Sequence, residues 1–161
     1  MKEISKEECQ NETRKHKENV SKLINIAIID LLKRSEKHDI TKLESPELDI
    51  FTKYTPKLSD CTYGSPEYKI FLEEMVPAIK HHYESNRHHI EFHNNNIKNM
   101  NLIDIIEMLC DWMSAALRHK DGDINKSIEL NQKRFGYSDE FKSVLINTID
   151  YIQKIKKDKN E

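Results

Sequence analysis

Apolar residues recur every three or four positions along most of this chain, which is the spacing of an amphipathic α-helix. The clearest stripe lies in a first helix that we predict from about Lys6 to Lys37. It consists of Val20, Leu23, Ile24, Ala27, Ile28, Leu31 and Leu32. We expect this stripe to lie in the hydrophobic core. No stretch alternates apolar and polar residues for long enough to predict a β-strand, so the pattern indicates an all-α fold.

Capping residues divide the rest of the chain into further helices. Ser45 and Ser65 each precede a proline, as at helix starts where serine caps and proline takes the first position. Asn101 caps the most apolar segment of the sequence. Gly136 ends the helix that follows, and Ser138 starts the last one. We therefore predict a compact domain of about six helices.

Length and composition fit one folded domain. A chain of 161 residues is long enough to bury a core without disulfides or metals. We predict a single helical domain over residues 1–161, in which residues 1–10 and 155–161 are frayed because polar side chains dominate both ends.

Charge, hydropathy and cysteine usage exclude several classes of function. The net charge of −2 gives no basic field for nucleic-acid phosphates, so no nucleic-acid partner is expected. The longest apolar block, INIAIIDLL, is too short to span a bilayer, and no membrane association is expected. The three cysteines are widely spaced with no CxxC pair, which indicates reduced thiols. We expect a cytoplasmic protein and leave open a homo-oligomer.

Five of the eight histidines lie between His81 and His93, in HHYESNRHHIEFH. Imidazole titrates near neutral pH and is the commonest metal ligand, so the clustering calls for a chemical explanation. If one helix continues through the segment, His82, His89 and His93 share a face. If the helix breaks, the pairs His81-His82 and His88-His89 flank a turn. Imidazoles can converge in both cases, and we favour a metal site over a polar surface segment.

His38 and Asp39 form a second candidate. An adjacent histidine and aspartate can give one nitrogen and one oxygen ligand to a metal centre, where the carboxylate can bridge two ions. Such mixed sites suit Mn, Fe, Co, Ni or Zn better than Ca. The alternative is a histidine at the negative end of a helix dipole, followed by an aspartate that caps the next turn. Taken alone, the pair is better explained by that alternative.

Asp104, Glu107 and Asp111 form an acidic stripe along the predicted fourth helix. Their spacing puts all three carboxylates on one face of a helix whose other faces are apolar. A solvent-exposed face explains the stripe, and so does a central helix that turns its polar face toward a functional site. The sequence does not separate these two explanations.

Taken together, these residues resemble the H…HD…D signature of HD-domain metal-dependent phosphohydrolases, which are also all-α. The resemblance implies that His16 in TRKHKENV is the first histidine, that HDITK supplies the HD pair and that EMLCDW supplies the closing aspartate. It also implies that the two HH pairs add the imidazoles found in two-metal members of that superfamily. The implied metal ligands are His38, Asp39, His82, His88, His89, Asp111, His16 and His81.

The whole chain resembles more closely an uncharacterised family of small phage and bacterial proteins. The phrases that carry this likeness are HDITK, YGSPEYK, HHYESNRHH, MNLIDIIEMLCDW and SIELNQKRFGY. That family has no established activity. If the gene is a phage's, the expected compartment is the host cytoplasm.

One distance argues against His16 as a ligand. In a continuous first helix, His16 and His38 lie about 33 Å apart along the axis, whereas metal–ligand bonds are about 2 Å long. No glycine or proline between Lys17 and Lys37 forces the chain to reverse. We therefore rank His16 below the other candidates.

The site predicts a metal-dependent phosphohydrolase that acts on a nucleotide or another small phosphate ester. One or two divalent transition-metal ions would lower the pKa of a bound water, and the resulting hydroxide would attack phosphorus. Lys42 and Arg87 are the candidates for neutralising phosphate oxygens. Glu91 and Glu107 are the candidates for orienting the water or moving its proton.

Two other functions stay open. One is a non-catalytic helical protein that sequesters a ligand or occupies a host protein, through an apolar groove around Phe51, Tyr54, Tyr63 and Tyr68. Core packing is the alternative explanation of these aromatic residues. The other function is a structural metal site that ties the histidine segment to the acidic helix, with complete coordination and no open position.

Overall fold

The computed structural model describes residues 4–60, 65–117 and 122–159. Within these ranges the chain forms six α-helices, three short 3₁₀ helices and no β-strand. The α-helices are α1 (Lys6–Lys37), α2 (Glu47–Asp60), α3 (Pro66–Ser85), α4 (Leu102–Ala116), α5 (Ile124–Phe135) and α6 (Asp139–Asp158). The 3₁₀ helices are Ile40–Leu43, Ile90–His93 and Ile97–Asn99. The prediction of an all-α fold with about six helices is confirmed.

The chain divides into two compact units, Met1–Lys37 and His38–Glu161. The first contains α1, and the second contains the other five α-helices. That the whole chain acts as one domain stays a prediction. So does the fraying of its ends, where α1 begins at Lys6 and α6 ends at Asp158. Among the described helices, none combines the length and the apolarity that a membrane crossing needs.

The apolar stripe of α1 is not part of a core. No residue of α1 is buried, and Leu23, Ile24 and Leu32 are 68%, 53% and 59% exposed. The prediction that this stripe lies in the core is therefore wrong. The physical reason is that α1 is the one described helix of its unit, and a single helix cannot bury a stripe without an element packed on it.

The core of the second unit lies where α4, α5 and α6 meet. Its buried side chains are Leu109, Ile128, Tyr137, Leu145 and Ile149. A smaller cluster joins Ile90, Met100 and Met108. Because α4 contributes to both clusters, it is the central helix of this unit, as its apolar composition predicts.

Side-chain caps fix the ends of the helices that carry the polar residues. Ser65, Asn101 and Ser138 each accept a hydrogen bond from the backbone N–H three residues later, as predicted. Asp104 completes a capping box, because its carboxylate accepts from the Asn101 N–H. The second helix begins at Glu47, one residue later than predicted, and the Ser45–Pro46 peptide bond before it is cis.

Candidate metal centre

The chain turns sharply between the two histidine pairs. α3 ends at Ser85, and the side-chain amide of Asn86 donates to the His82 carbonyl at 2.8 Å. His88 and His89 follow this turn and precede the 3₁₀ helix that begins at the next residue. Of the two arrangements considered from the sequence, the structure shows the broken helix, in which the pairs flank a turn.

Asp39 does not serve as the helix cap that the alternative explanation required. Its backbone lies in the left-handed region, with φ 56°, which few residues other than glycine, asparagine and aspartate adopt. It precedes the 3₁₀ helix Ile40–Leu43, yet its side chain makes no capping hydrogen bond. Oδ2 instead accepts from Lys42 Nζ at 2.6 Å. Oδ1 lies 3.4 Å from His82 Nε2 and 3.5 Å from His88 Nε2.

Four residues place potential ligand atoms within 4.8 Å of one another: Asp39, His82, His88 and His89. We call them the buried group, because the side chains of His82 and His88 are only 5% and 1% exposed. The Nε2 atoms of His82 and His89 lie 2.8 Å apart. Two ring nitrogens this close either share one proton or face a common ligand.

Two atoms of the buried group have no hydrogen-bond partner among the described residues. They are Oδ1 of Asp39 and Nε2 of His88, and both are buried. Buried polar atoms in folded proteins nearly always have a partner, because removing them from water without one costs free energy. Both atoms belong to one convergent set of nitrogen and oxygen donors, so this set fits a divalent metal ion.

Burial and neighbouring charges favour the protonation states that bind metal. Burial lowers the pKa of His89 to about 3, and the nearby His88 and His82 add to this effect. Burial and the Lys42 ammonium also lower the pKa of His82. Burial would raise the pKa of Asp39, but Lys42, His38 and His82 together outweigh it and the pKa is lowered. Neutral imidazoles and an ionised carboxylate are the forms that coordinate a metal.

His38 lies in two further groups of possible ligands. One, which we call the outer group, joins His38, Asp39 and Asp111, and the other joins His38, His88 and Glu107. His38 Nδ1 lies 3.0 Å from Glu107 Oε1, and its Nε2 lies 3.7 Å from Asp111 Oδ1. The carboxylates of Asp111 and Glu107 raise the pKa of His38 to about 10. An ion in the outer group would therefore displace a proton from His38.

Asp39 belongs to both the buried and the outer group, and its two oxygens face in different directions. Oδ1 faces His82 and His88, whereas Oδ2 lies 3.7 Å from His38 Nε2. A carboxylate can bridge two metal ions through its two oxygens. The arrangement therefore fits one ion in each group, with Asp39 between them.

Glu47 is fully buried behind the buried group, at the first residue of α2. Its oxygens lie 2.7 Å from His81 Nδ1 and 2.8 Å from His82 Nδ1. Burial would raise the pKa of Glu47, but hydrogen bonds from His81, Thr41 and His82 outweigh it and the pKa is lowered. When His82 donates its Nδ1 proton to Glu47, its Nε2 is left as the metal-binding atom. His81 thus contacts Glu47 and lies outside the three groups.

Six of the eight ligands implied by the sequence fall in these groups: His38, Asp39, His82, His88, His89 and Asp111. Glu107, predicted as a catalytic residue, joins them as a possible ligand. His16 is exposed on α1, which is unbroken from Lys6 to Lys37. His16 therefore lies roughly 32 Å from the end of α1. This agrees with the distance that argued against His16 as a metal ligand.

The other predicted catalytic residues have separate ion-pair partners. Arg87 donates to both oxygens of the buried Asp104, at 3.2 and 3.1 Å. Glu91 accepts from Arg134 at 2.6 Å. Sequence reasoning missed Arg134, and it missed Glu47, which lies 34 positions before His81 in no recognisable motif.

Of the aromatic residues proposed as a binding groove, Tyr54 packs between α2 and α3, where its ring lies 6.1 Å from that of Phe71. Tyr54 is buried, and its hydroxyl donates to Glu74 at 3.1 Å. Phe51 and Tyr68 are half-buried, and Tyr63 lies outside the described residues. Core packing, the alternative explanation, accounts for Tyr54.

Comparison with known proteins identifies the family of the chain. A family model described as a family of unknown function, DUF5662, matches residues 5–157. The chain belongs to DUF5662. The predicted membership of an uncharacterised family is thereby confirmed. No curated protein and no solved structure matches this DUF5662 chain, so its likeness to HD-domain phosphohydrolases stays a prediction from sequence.

Proposed function

We propose that this DUF5662 protein is a metal-dependent phosphohydrolase that acts on a small phosphate ester. The observation that carries the proposal is the pair of adjoining donor groups that share Asp39. Hydrolytic enzymes use two neighbouring ions to hold the attacking and leaving oxygens at phosphorus. A buried group beside a more exposed one suits that arrangement.

The two groups differ in how solvent reaches them. In the outer group the side chains of His38 and Asp111 are 29% and 21% exposed, whereas His88 in the buried group is 1% exposed. Three protein ligands in the outer group leave coordination positions for water or substrate. The outer group is therefore where we place the reacting phosphate.

Bound divalent ions supply a water of lowered pKa and positive charge for the phosphate oxygens. Glu107 lies 3.0 Å from His38 and 3.3 Å from His88, close enough to the outer group to accept the proton of the attacking water. Lys42 contacts Asp39 at 2.6 Å, so its ammonium is placed to neutralise a phosphate oxygen. Arg87 is less suited to that role, because its partner Asp104 lies outside the three groups of possible ligands.

The types of ligand atom support particular metals, and the cysteines support a compartment. Imidazoles mixed with carboxylates favour Mn, Fe, Co, Ni or Zn over Ca, and we propose one or two such ions. Cys9 and Cys110 are free thiols, which supports the cytoplasm, or a phage's host cytoplasm, as the compartment.

A structural metal site is the second candidate, and the buried group favours it. Asp39, His82, His88 and His89 would complete a tetrahedral coordination without help from solvent. On that hypothesis only the buried group binds an ion, and Asp111 is dispensable for metal binding. The two candidates therefore differ in what they predict for Asp111.

Metal content and phosphate release from purified protein test the proposal. We expect nearly stoichiometric transition metal, and we expect His82→Ala and Asp39→Asn to lose both metal and phosphate release. Asparagine is chosen at position 39 because it tolerates the left-handed backbone. His16→Ala is the matched control, since His16 is exposed on α1, and it should keep both properties.

The variant Asp111→Asn separates catalysis from structure. If the proposed function is right, this variant keeps the ion of the buried group but loses the ion of the outer group and most phosphate release. If the site is structural only, its metal content equals that of the wild type. Bound metal without release of phosphate from any ester would favour the structural site. Protein that binds no transition metal and is equally stable in chelator would overturn both.

A further inference from the structure

A cleft with a volume of about 130 Å³ adjoins the candidate metal centre. His88 and His89, which belong to the buried group, form part of its wall. The other walls come from α3, α4, α5 and the 3₁₀ helix Ile90–His93 of the same unit. A molecule in this cleft would therefore lie beside the buried group, which shares Asp39 with the outer group.

Aromatic side chains from three helices line the cleft: Tyr83 of α3, Trp112 of α4 and Phe135 of α5. Trp112 and Phe135 also pack against the cluster of Ile90, Met100 and Met108, which holds their rings in place. The Tyr83 ring lies 4.9 Å from that of His89. Aromatic walls on packed helices provide stacking surfaces for a planar ring.

Polar groups at the same cleft can orient such a ring. Glu91 and Arg134 both line the cleft and pair at 2.6 Å. The Arg134 guanidinium lies 4.7 Å from the centre of the Phe135 ring. Small-molecule sites usually measure roughly 300–1,000 Å³ when they enclose a whole drug-sized ligand. The smaller size of this cleft suits one ring system.

We propose that this cleft binds the planar aromatic or heteroaromatic ring of the phosphate ester, while the ester's phosphate reaches the ion centre. That the phosphate reaches the ion centre rests on the proposed function, whereas binding of the ring rests on the cleft alone. The ring can come from the base of a nucleoside phosphate or from an aryl phosphate. Both share the planar π face that the walls recognise.

Ring binding can be measured without metal or catalysis. Trp112 is the chain's one tryptophan, so its fluorescence reports the cleft directly. In chelator-treated protein we expect adenosine, cytidine or phenol to change this fluorescence saturably, and ribose to leave it unchanged. Saturation with nucleosides alone would identify the nucleoside source, and saturation with phenol alone the aryl source. No saturable change with any ring compound would overturn the inference.

Substrate selectivity of the metal-loaded protein gives the second test. Adenosine monophosphate and phenyl phosphate are compared with glycerol phosphate, which has no ring. We expect Phe135→Leu to lower the ratio of kcat/KM for the preferred ring ester over glycerol phosphate about tenfold, because stacking on the Phe135 ring is lost. The control Phe141→Leu, outside the cleft on α6, should keep the ratio.

The two tests separate failure of the cleft from failure of the proposed function. Ring-dependent fluorescence without hydrolysis of any ester would reject the phosphohydrolase and retain the ring site. If the wild type and Phe135→Leu both hydrolyse esters with the same ratio of kcat/KM for the ring ester over glycerol phosphate, the phosphohydrolase is retained and the ring site is overturned.

Discussion

Glu47 shows how single residues position the candidate centre. The carboxylate is fully buried with a lowered pKa, and burying a charge is costly unless hydrogen bonds compensate it. The Nδ1 atoms of His81 and His82 supply that compensation. The same contacts fix the ring of His82 with Nε2 toward Asp39 and His89. Glu47 is thus a positioning residue for a metal ligand.

The variant Glu47→Gln should weaken metal binding about 10- to 100-fold, the usual effect of removing a partner behind a ligand histidine. Glutamine keeps the size of the side chain, but it removes the negative charge and one of the two acceptor oxygens. Competition with a chromophoric chelator measures the change in the metal Kd. Glu44→Gln is the control, because Glu44 is exposed at the end of the preceding 3₁₀ helix. Equal affinity in both variants would show that Glu47 does not position His82.

Residue chemistry made part of the centre predictable. Clustered histidines and an adjacent His38-Asp39 pair are recognisable because few other roles require those types together. Glu47 was not recognisable, since it meets His81 only through the packing of α2 on α3. That Glu107 lies close enough to His38 and His88 to be a possible ligand was not recognisable either. Its proximity to His38 and His88 depends on how distant parts of the chain pack on α4.

At the scale of elements, α4 is the helix that brings carboxylates to the histidines. Its acidic stripe faces inward: Glu107 and Asp111 contact His38, while Asp104 pairs with Arg87 in the turn after α3. Asp104 also closes the capping box at the start of the helix. One side chain thus fixes both the start of α4 and its attachment to the histidine segment.

Removal of the cap should destabilise the second unit. Asn101→Ala loses the hydrogen bond to the Asp104 N–H, which typically costs about 1 kcal/mol of unfolding free energy. Asn101 is exposed, so little packing is lost with it. Asn101→Ser keeps a capping oxygen and should retain most of the stability. Urea unfolding measures both variants, and equal losses in the two would show that the cap is not the cause.

Element boundaries were predicted well, because caps and helical spacing are local signals. The bounds of α1 and the caps at Ser65, Asn101 and Ser138 agree with the sequence. The burial of the α1 stripe was predicted wrongly. Periodicity identifies an apolar face but carries no information about what packs on it.

At the scale of the whole molecule, the candidate centre joins three distant stretches of one unit. His38 and Asp39 begin that unit, His82, His88 and His89 flank the turn after α3, and Asp111 lies in α4. An ion that binds all three closes long loops of chain, whose ends are costly to hold together in the unfolded state. Metal binding and folding of this unit should therefore be coupled.

Metal removal should lower the thermal stability of the unit His38–Glu161 reversibly. An ion at 100 times its Kd stabilises the folded state by about 2.7 kcal/mol, which for a chain of this size raises Tm by about 5–10 °C. The fluorescence of Trp112, which lies in α4, reports unfolding of this unit. We expect Tm to fall in chelator and to recover on addition of Zn or Mn. In His82→Ala, neither chelator nor added Zn or Mn should change Tm by more than about 2 °C, because the buried group has lost a ligand. A Tm that is the same in chelator and in excess metal for the wild-type chain would contradict the coupling.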